Sequence, residues 1–365
     1  MSKEKIVLSV GDPDVEAPSY VFDAAIEKMK AGGEWTHYGF QTDKPKVFRD
    51  AVVDYYKRFG GVTYPDSAVI PCAGSSAALY VALRTILNPG DEILMFEPTY
   101  RGHFNILNGL GVKQNLVQLE RENKYHPDLD EIAEAITSKT KAVLVCNPNN
   151  PTGTVFTEKE LRAIGDLAVD HDMGIYSDEI YLHFVYDDNK FVSTASLSEE
   201  YAKRTINIMS FSKTFSMTGW RLGYIIVPEM YESKAKKIAG MAAPRPPTFL
   251  YAAGAAALNG DFKYVDERVA AYDARRKYFC PAVDAIEGLT CDIFEGSFYA
   301  WFDARSTGMS SQEFCDKLAE AKNLYFSPGH TFGPGQDGMV RVPLCQPMSL
   351  LKEGIARLER FMGSL

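Results

Sequence analysis

Thr205-Ile206-Asn207-Ile208-Met209-Ser210-Phe211-Ser212-Lys213-Thr214-Phe215-Ser216-Met217-Thr218-Gly219-Trp220-Arg221-Leu222-Gly223-Tyr224-Ile225-Ile226-Val227 is the stretch from which the rest of the chain is read. Its two ends, 205–209 and 224–227, are short apolar runs of the kind that form buried strands. The loop between them therefore hangs from a strand's carboxyl end, the edge at which open α/β sheets bind ligands. Lys213 is the candidate covalent nucleophile, because an amine close to a desolvated or cationic neighbour is un-ionised enough to form a Schiff base. Ser210, Ser212 and Arg221 suit an anionic tail on whatever the lysine holds. A solvated loop lysine is the plainer alternative; Ser210 three residues before Lys213 and Arg221 eight after it weigh against it.

Outward from this stretch the chain alternates buried strands with amphipathic helices from about residue 67. Strands are expected at 92–96, 142–146, 174–178, 205–209 and 224–227, and helices at 75–88, 101–110, 128–137 and 158–172. Such alternation gives a largely parallel sheet covered by helices on both faces. Upstream, 6–10 reads as a strand, followed by the turn cluster Gly11-Asp12-Pro13-Asp14. Helices are expected at 19–31, with Phe22, Ala25 and Met29 on one face, and at 46–58, with Val47, Ala51 and Tyr55. After about 228 the texture changes to helices at 230–240, 249–258 and 262–285, short strands near 297–303 and 339–342, and a closing helix at 349–362. The break Pro244-Arg245-Pro246-Pro247 suggests where the chain leaves one domain. The fold class is thus α/β: a large domain over 35–250 with a mostly parallel sheet sandwiched by helices, and a smaller α+β domain made from 1–34 and 251–365.

Composition narrows the function. The chain has 365 residues, 46% hydrophobic and 24% charged, ordinary for a globular protein. No apolar run approaches the ~18 residues of a membrane span. The start, Met1-Ser2-Lys3-Glu4-Lys5, leads straight into a short apolar run, which does not read as a signal peptide, so a cytoplasmic location is expected. A net charge of −9 argues against a nucleic-acid partner. Six dispersed cysteines without a Cys-x-x-Cys pair read as reduced, mostly buried thiols, and six dispersed histidines offer no metal site.

Four further stretches fall at strand ends or helix starts. Gly74-Ser75-Ser76 opens a helix and offers free N–H groups, hydroxyls and the positive end of the macrodipole, an anion site if more than a cap. Asn147-Pro148-Asn149-Asn150-Pro151-Thr152-Gly153 forces a tight exit from a strand and holds an amide at the sheet's edge. Asp178-Glu179-Ile180-Tyr181 closes another strand, and a carboxylate there needs a cation or donor. Arg341, in a short strand, suits a bidentate grip on a carboxylate, with a surface ion pair as the plainer use. Gly333-Pro334-Gly335-Gln336-Asp337-Gly338 matches a dinucleotide-binding pattern but precedes a strand rather than a helix, so nucleotide binding is discounted.

Together, 147–153, 178–181 and 210–223 resemble the signature set of fold type I pyridoxal-phosphate enzymes, specifically the class I/II aminotransferases, in order and approximate spacing from Gly11 to Arg341. The resemblance implies pyridoxal 5'-phosphate as cofactor and transfer of an amino group from an L-amino acid to a 2-oxo acid by a ping-pong mechanism. It implies that Lys213 carries the cofactor as a Schiff base, Asp178 pairs with its ring nitrogen, Tyr181 and Asn150 bond its phenolic oxygen, and Tyr100 stacks on its ring. Gly74, Ser75, Ser76, Ser210, Ser212 and Arg221 would hold its phosphate, and Arg341, with Gly11 and Asn150, the substrate's carboxylate. It further implies a homodimer with active sites at the subunit interface, Tyr38 reaching the neighbouring subunit's phosphate. A carbon–sulfur β-lyase or decarboxylase on the same fold is the alternative, and a non-catalytic ligand-binding protein a more distant one. The substrate's side chain stays open: Arg245 or Arg101 could meet a distal carboxylate, while Trp35, Tyr38 and Phe40 could build an apolar pocket.

Overall fold

A computed structural model describes residues 4–37, 44–242 and 245–365; Tyr38, Phe40 and Pro244 lie outside the described residues. The chain forms strands β1 (Ile6–Val7), β2 (Val69–Cys72), β3 (Glu92–Glu97), β4 (Lys113–Gln118), β5 (Thr140–Cys146), β6 (Gly174–Asp178), β7 (Thr205–Ser210) and β8 (Gly223–Ile226). The last seven of these make one sheet in the order β2-β8-β7-β6-β5-β3-β4. Strands β3 to β7 are parallel, and β8 runs antiparallel to both β7 and β2. The sheet is therefore mostly parallel, as expected, with β8 reversed because the loop 211–222 turns the chain straight back without a crossover helix.

The apolar strand runs reflect burial on both faces. In β3, Ile93 and Met95 join the core under helices α3 (Ser75–Ile86) and Glu229–Ala242, while Leu94 and Phe96 join the core under Glu158–Asp170. Successive residues of β5 divide the same way: Ala142 and Leu144 go to one core, Val143 and Val145 to the other. The carboxyl ends of β2, β3, β5, β6 and β7 and the start of β8 consequently share one edge, where the motifs at 74–76, 97–100, 147–153, 178–181 and 210–223 hang.

A second sheet joins β9 (Thr290–Cys291), β10 (Tyr299–Asp303), β12 (Ser327–Pro328) and β13 (Met339–Pro343), antiparallel throughout, in the order β12-β13-β10-β9. The short β11 (Leu324–Tyr325) pairs in parallel with β1. Strand β1 is shorter than the expected 6–10, because the carbonyls of Ser9 and Gly11 are drawn off to Arg341 and Lys213 instead of continuing a ladder. Of the N-terminal residues, Ile6 and Leu8 pack in the core of this second sheet, whereas Val21 and Ala25 pack with Phe48, Ala51 and Leu250 beside the large sheet.

Several helix faces differ from the sequence expectation. In α1 (Ser19–Ala31) the buried residues are Val21 and Ala25; Phe22 is half-buried and Met29 is 50% exposed. In α2 (Lys44–Tyr55) Phe48 and Val52 are buried with Ala51 and Tyr55, and Val47 is exposed. Helix 128–137 contracts to Leu129–Glu134, capped by the Asp128 side chain on Asp130 N. All six cysteines are free and buried, as their scatter implies. The 333–338 loop binds the wall of the large sheet: buried Glu97 at the end of β3 accepts from Gly335 N at 2.6 Å and Gln336 Nε2 at 3.2 Å.

A second tie uses His126, which lies between Glu160 at 3.0 Å and Glu295 at 3.4 Å. Hydrogen bonds to Glu160 and then Glu295 raise its pKa from 6.5 to about 9. This stabilisation is complete below pH 6.5 and is lost as pH rises to about 9. His126→Ala should therefore lower the melting temperature most at pH 6 and leave it near the wild-type value at pH 10. An equal loss at both pH values would show that the imidazolium is not what stabilises this contact.

Candidate active site

The sheet edge encloses a cavity of about 240 Å³ lined by Gly11, Ser75, Ser76, Tyr100, Asn150, Asp178, Tyr181, Ser212, Lys213, Arg221 and Arg341 among others. Two further predicted residues stand directly behind the wall. Ser210 Oγ donates to Ser212 Oγ at 3.0 Å, and Gly74 lies so close to Arg221 that a Cβ on it would be 2.5 Å from the guanidinium. With φ at +83° as well, Gly74 leaves room for no other residue. Tyr38 is outside the described residues. Of the two arginines considered for a distal group, Arg101 lines this cavity, whereas Arg245 lines a different one with Arg49, Cys72 and Tyr251.

Lys213 sits in the single helical turn Phe211–Thr214, whose start is capped by Ser210 accepting from Ser212 N at 3.2 Å. Its Nζ donates to Gly11 O at 2.5 Å. Burial lowers the Lys213 pKa to about 8, and the Arg341 and Arg221 charges push it the same way. The amine thus holds a substantial neutral fraction near physiological pH, which a solvated lysine does not.

Asp178 ends β6 at 2% exposure and needs a partner. It has one in His103, whose Nε2 is 3.0 Å from Asp178 Oδ2 and whose Nδ1 is 3.1 Å from Thr99 Oγ1. The sequence reading missed His103; the available signal was Thr99 and His103 four residues apart around the start of α4 (Arg101–Leu110). Next along, Glu179 is fully buried and accepts from Tyr56 at 2.8 Å, Ser177 at 2.8 Å, Ser193 at 2.6 Å and Asn207 at 2.9 Å. Burial nonetheless raises its pKa. These bonds fix the backbone from which Asp178 and Tyr181 project.

Tyr181 OH lies 2.9 Å from Tyr299 OH, a second residue the sequence did not flag, and 3.5 Å from Asn150 Nδ2. Asn150 Oδ1 accepts from Arg341 Nη1 at 3.2 Å, and Arg341 Nη2 donates to Ser9 O at 2.9 Å. The Arg341 guanidinium lies between the rings of Tyr299 and Phe332, 4.5 and 4.6 Å from their centroids, with its Nε buried and unpaired. Burial lowers its pKa as well. Gly11 closes the cavity against Tyr299, where a Cβ would lie 2.4 Å from the hydroxyl.

The donor set fits pyridoxal phosphate. Ser75, Ser76, Ser212 and Arg221 meet beside the start of α3, which no side chain caps, and that suits a phosphate. Among the described residues Asp178 is the one carboxylate in the wall, suited to a protonated ring nitrogen, and Lys213 is an amine suited to an aldehyde.

The chain matches the family described as Aminotransferase class I and II over residues 3–358. It is 34% identical to an aspartate aminotransferase of Pyrococcus abyssi, covering 99% of this chain and 92% of that one. It is 33% identical to aromatic-amino-acid aminotransferase 2 of Thermococcus litoralis, covering 98% and 91%. The crystal structure of an aromatic aminotransferase from Pyrococcus horikoshii superposes with a TM-score of 0.93 at 32% identity, covering 99% of this chain and 96% of that one. The chain belongs to the class I and II aminotransferase family, pyridoxal-phosphate-dependent enzymes of fold type I.

Proposed function

We propose that this aminotransferase works through the residues around Lys213, accepting an amino acid and a 2-oxo acid in turn. The observation that carries the assignment is a buried amine with its pKa lowered to about 8, in one cavity with Asp178 and Arg341. Pyridoxal phosphate, when bound, supplies the electron sink that makes an amino acid's α-proton removable. Lys213 Nζ holds the cofactor and then takes the proton from the substrate's α-carbon. Asp178, oriented by His103, keeps the ring nitrogen charged; Tyr181 and Asn150 serve the phenolic oxygen, and Tyr100 the ring face. Gly74, Ser75, Ser76, Ser210, Ser212 and Arg221 serve the phosphate. Arg341 takes the substrate's carboxylate, with Gly11 and Asn150 beside it.

We assign the active assembly to a homodimer with Tyr38 of each copy serving the other's phosphate. Ile26 and Met29, one turn apart on α1, are 45% and 50% exposed, an apolar pair suited to burial against a second copy, and that exposure supports this reading. The free, buried cysteines suit a reducing cytoplasm. No helix of the described residues is long and apolar enough to cross a membrane.

Lys213→Ala should lower turnover at least ~10⁴-fold, and borohydride should no longer fix cofactor to the chain; an adduct persisting in the variant refutes the assignment. Asp178→Ala should retain bound cofactor while turnover falls roughly 10²–10³-fold; near-normal rates would remove Asp178 from the mechanism. Uptake of pyridoxal phosphate by the stripped protein should quicken with pH up to about 8 and level off above it. An inflection near the ordinary lysine value would contradict the role given to burial.

A further inference from the structure

Tyr299 has no part in the roles above, yet it touches three of the residues that do. On β10 it faces Pro343 of β13, and its neighbour but one, Trp301, faces Arg341, so Tyr299 and Arg341 project from adjoining strands into one cavity. The Arg341 guanidinium lies 4.5 Å from its ring centroid. Its hydroxyl is 2.9 Å from Tyr181 OH, and the Gly11 backbone comes so near that hydroxyl that a Cβ would not fit. Tyr299 is buried, and among the described residues its hydroxyl has one hydrogen-bond partner, Tyr181.

The direction of this bond follows from the protons available. Tyr181 OH has a single proton and two acceptor positions. On the reading just given, on which this inference rests, that proton goes to the cofactor's phenolic oxygen. Tyr299 must then donate to Tyr181 or leave its own O–H buried without an acceptor. A phenol that accepts one hydrogen bond donates its own proton more strongly, because consecutive bonds polarise one another. Burial pushes the Tyr299 phenol up to about 12 while the Arg341 charge acts in the opposite sense, so it stays a neutral donor near physiological pH. Cys146 and Cys345, whose charge would act on the pair, are pushed up by burial and stay neutral as well; Tyr100 is the other phenol facing it.

We propose that Tyr299 is a positioning residue of this active site: by donating to Tyr181 it commits the Tyr181 proton to the cofactor's phenolic oxygen and strengthens that bond. The second sheet thereby tunes a contact made at the edge of the first. The competing role for Tyr299 is a ring that only walls in Arg341 and Gly11, its hydroxyl idle, and a phenylalanine would then serve as well.

The protein loaded with pyridoxal phosphate separates the two. The readout is the midpoint pH of the change in the bound cofactor's visible absorbance. A phenolic oxygen with weaker donors holds a shared proton more tightly, which raises that midpoint. Removing one hydrogen bond from the chain should move it by about 0.4–1 unit. Tyr299→Phe, which keeps the ring on Arg341, should raise the midpoint by that amount and leave the affinity for butyrate, an unreactive acid, unchanged. Tyr299→3-fluorotyrosine, a stronger donor of nearly the same shape, should lower it. In a Tyr181→Phe background Tyr299→Phe should add nothing, because the residue acts through Tyr181. A midpoint that neither substitution at Tyr299 moves, or a shift of the same size with and without the Tyr181 hydroxyl, overturns the proposal. If Tyr299→Phe does not retain cofactor, the fluorinated protein decides by the direction of its shift. A wild-type protein that gains no visible absorbance from pyridoxal phosphate removes the reading of the site instead.

Discussion

The carboxylate of Asp178, held out of water at the end of a central strand, is the constraint from which the site follows. Burying a charge without a partner costs several kcal/mol, and His103 is the partner. His103 can face Asp178 only if α4 begins where it does, with Thr99 holding the far side of the imidazole. That placement sets Tyr100 and Arg101 at the mouth of the same cavity. One buried hydrogen bond thereby positions an aromatic wall and the Arg101 cation as well as the carboxylate itself.

The opposite side of the cavity is built on desolvated cations. Lys213 and Arg341 both lose proton affinity through burial, and the Arg341 charge lowers that of Lys213 further. Cations gathered this way oppose folding until anions arrive, so phosphate and carboxylate ligands that bind only the folded state should add to its stability. The aromatic rings flanking Arg341 and the hydroxyl pair of Tyr181 and Tyr299 moderate the cost without neutralising the charge.

Much of this was legible in the sequence, for reasons that differ by element. Strands β5 and β6 announce themselves as apolar runs because both their faces are covered. The two edge strands do not: β2 is four residues long and carries Pro71, and β4 reads Lys113-Gln114-Asn115-Leu116-Val117-Gln118 with much of its surface half-exposed. Such features suit an edge and hide a strand from periodicity. Lys213, Asp178, Asn150 and Arg221 were legible because each lies in a dense local motif. His103 and Tyr299 were not: the four-residue spacing of Thr99 and His103 pairs those two without pointing to Asp178, and the approach of Tyr299 to Tyr181 depends on how the second sheet packs. The faces of α1 and α2 were misjudged by a residue or so, because Met29 and Val47 satisfy helical spacing while lying where no core covers them.

The segment from Ser9 to Gly11 gives the site a further property. Its peptide oxygens already accept from Arg341 Nη2 and Lys213 Nζ. An incoming acid or aldehyde at those positions trades one set of oxygens for another, so occupancy is a swap and its net gain is the difference between two sets of bonds. The displaced backbone must then find other donors, which makes the conformation of the first dozen residues a reporter of what fills the cavity.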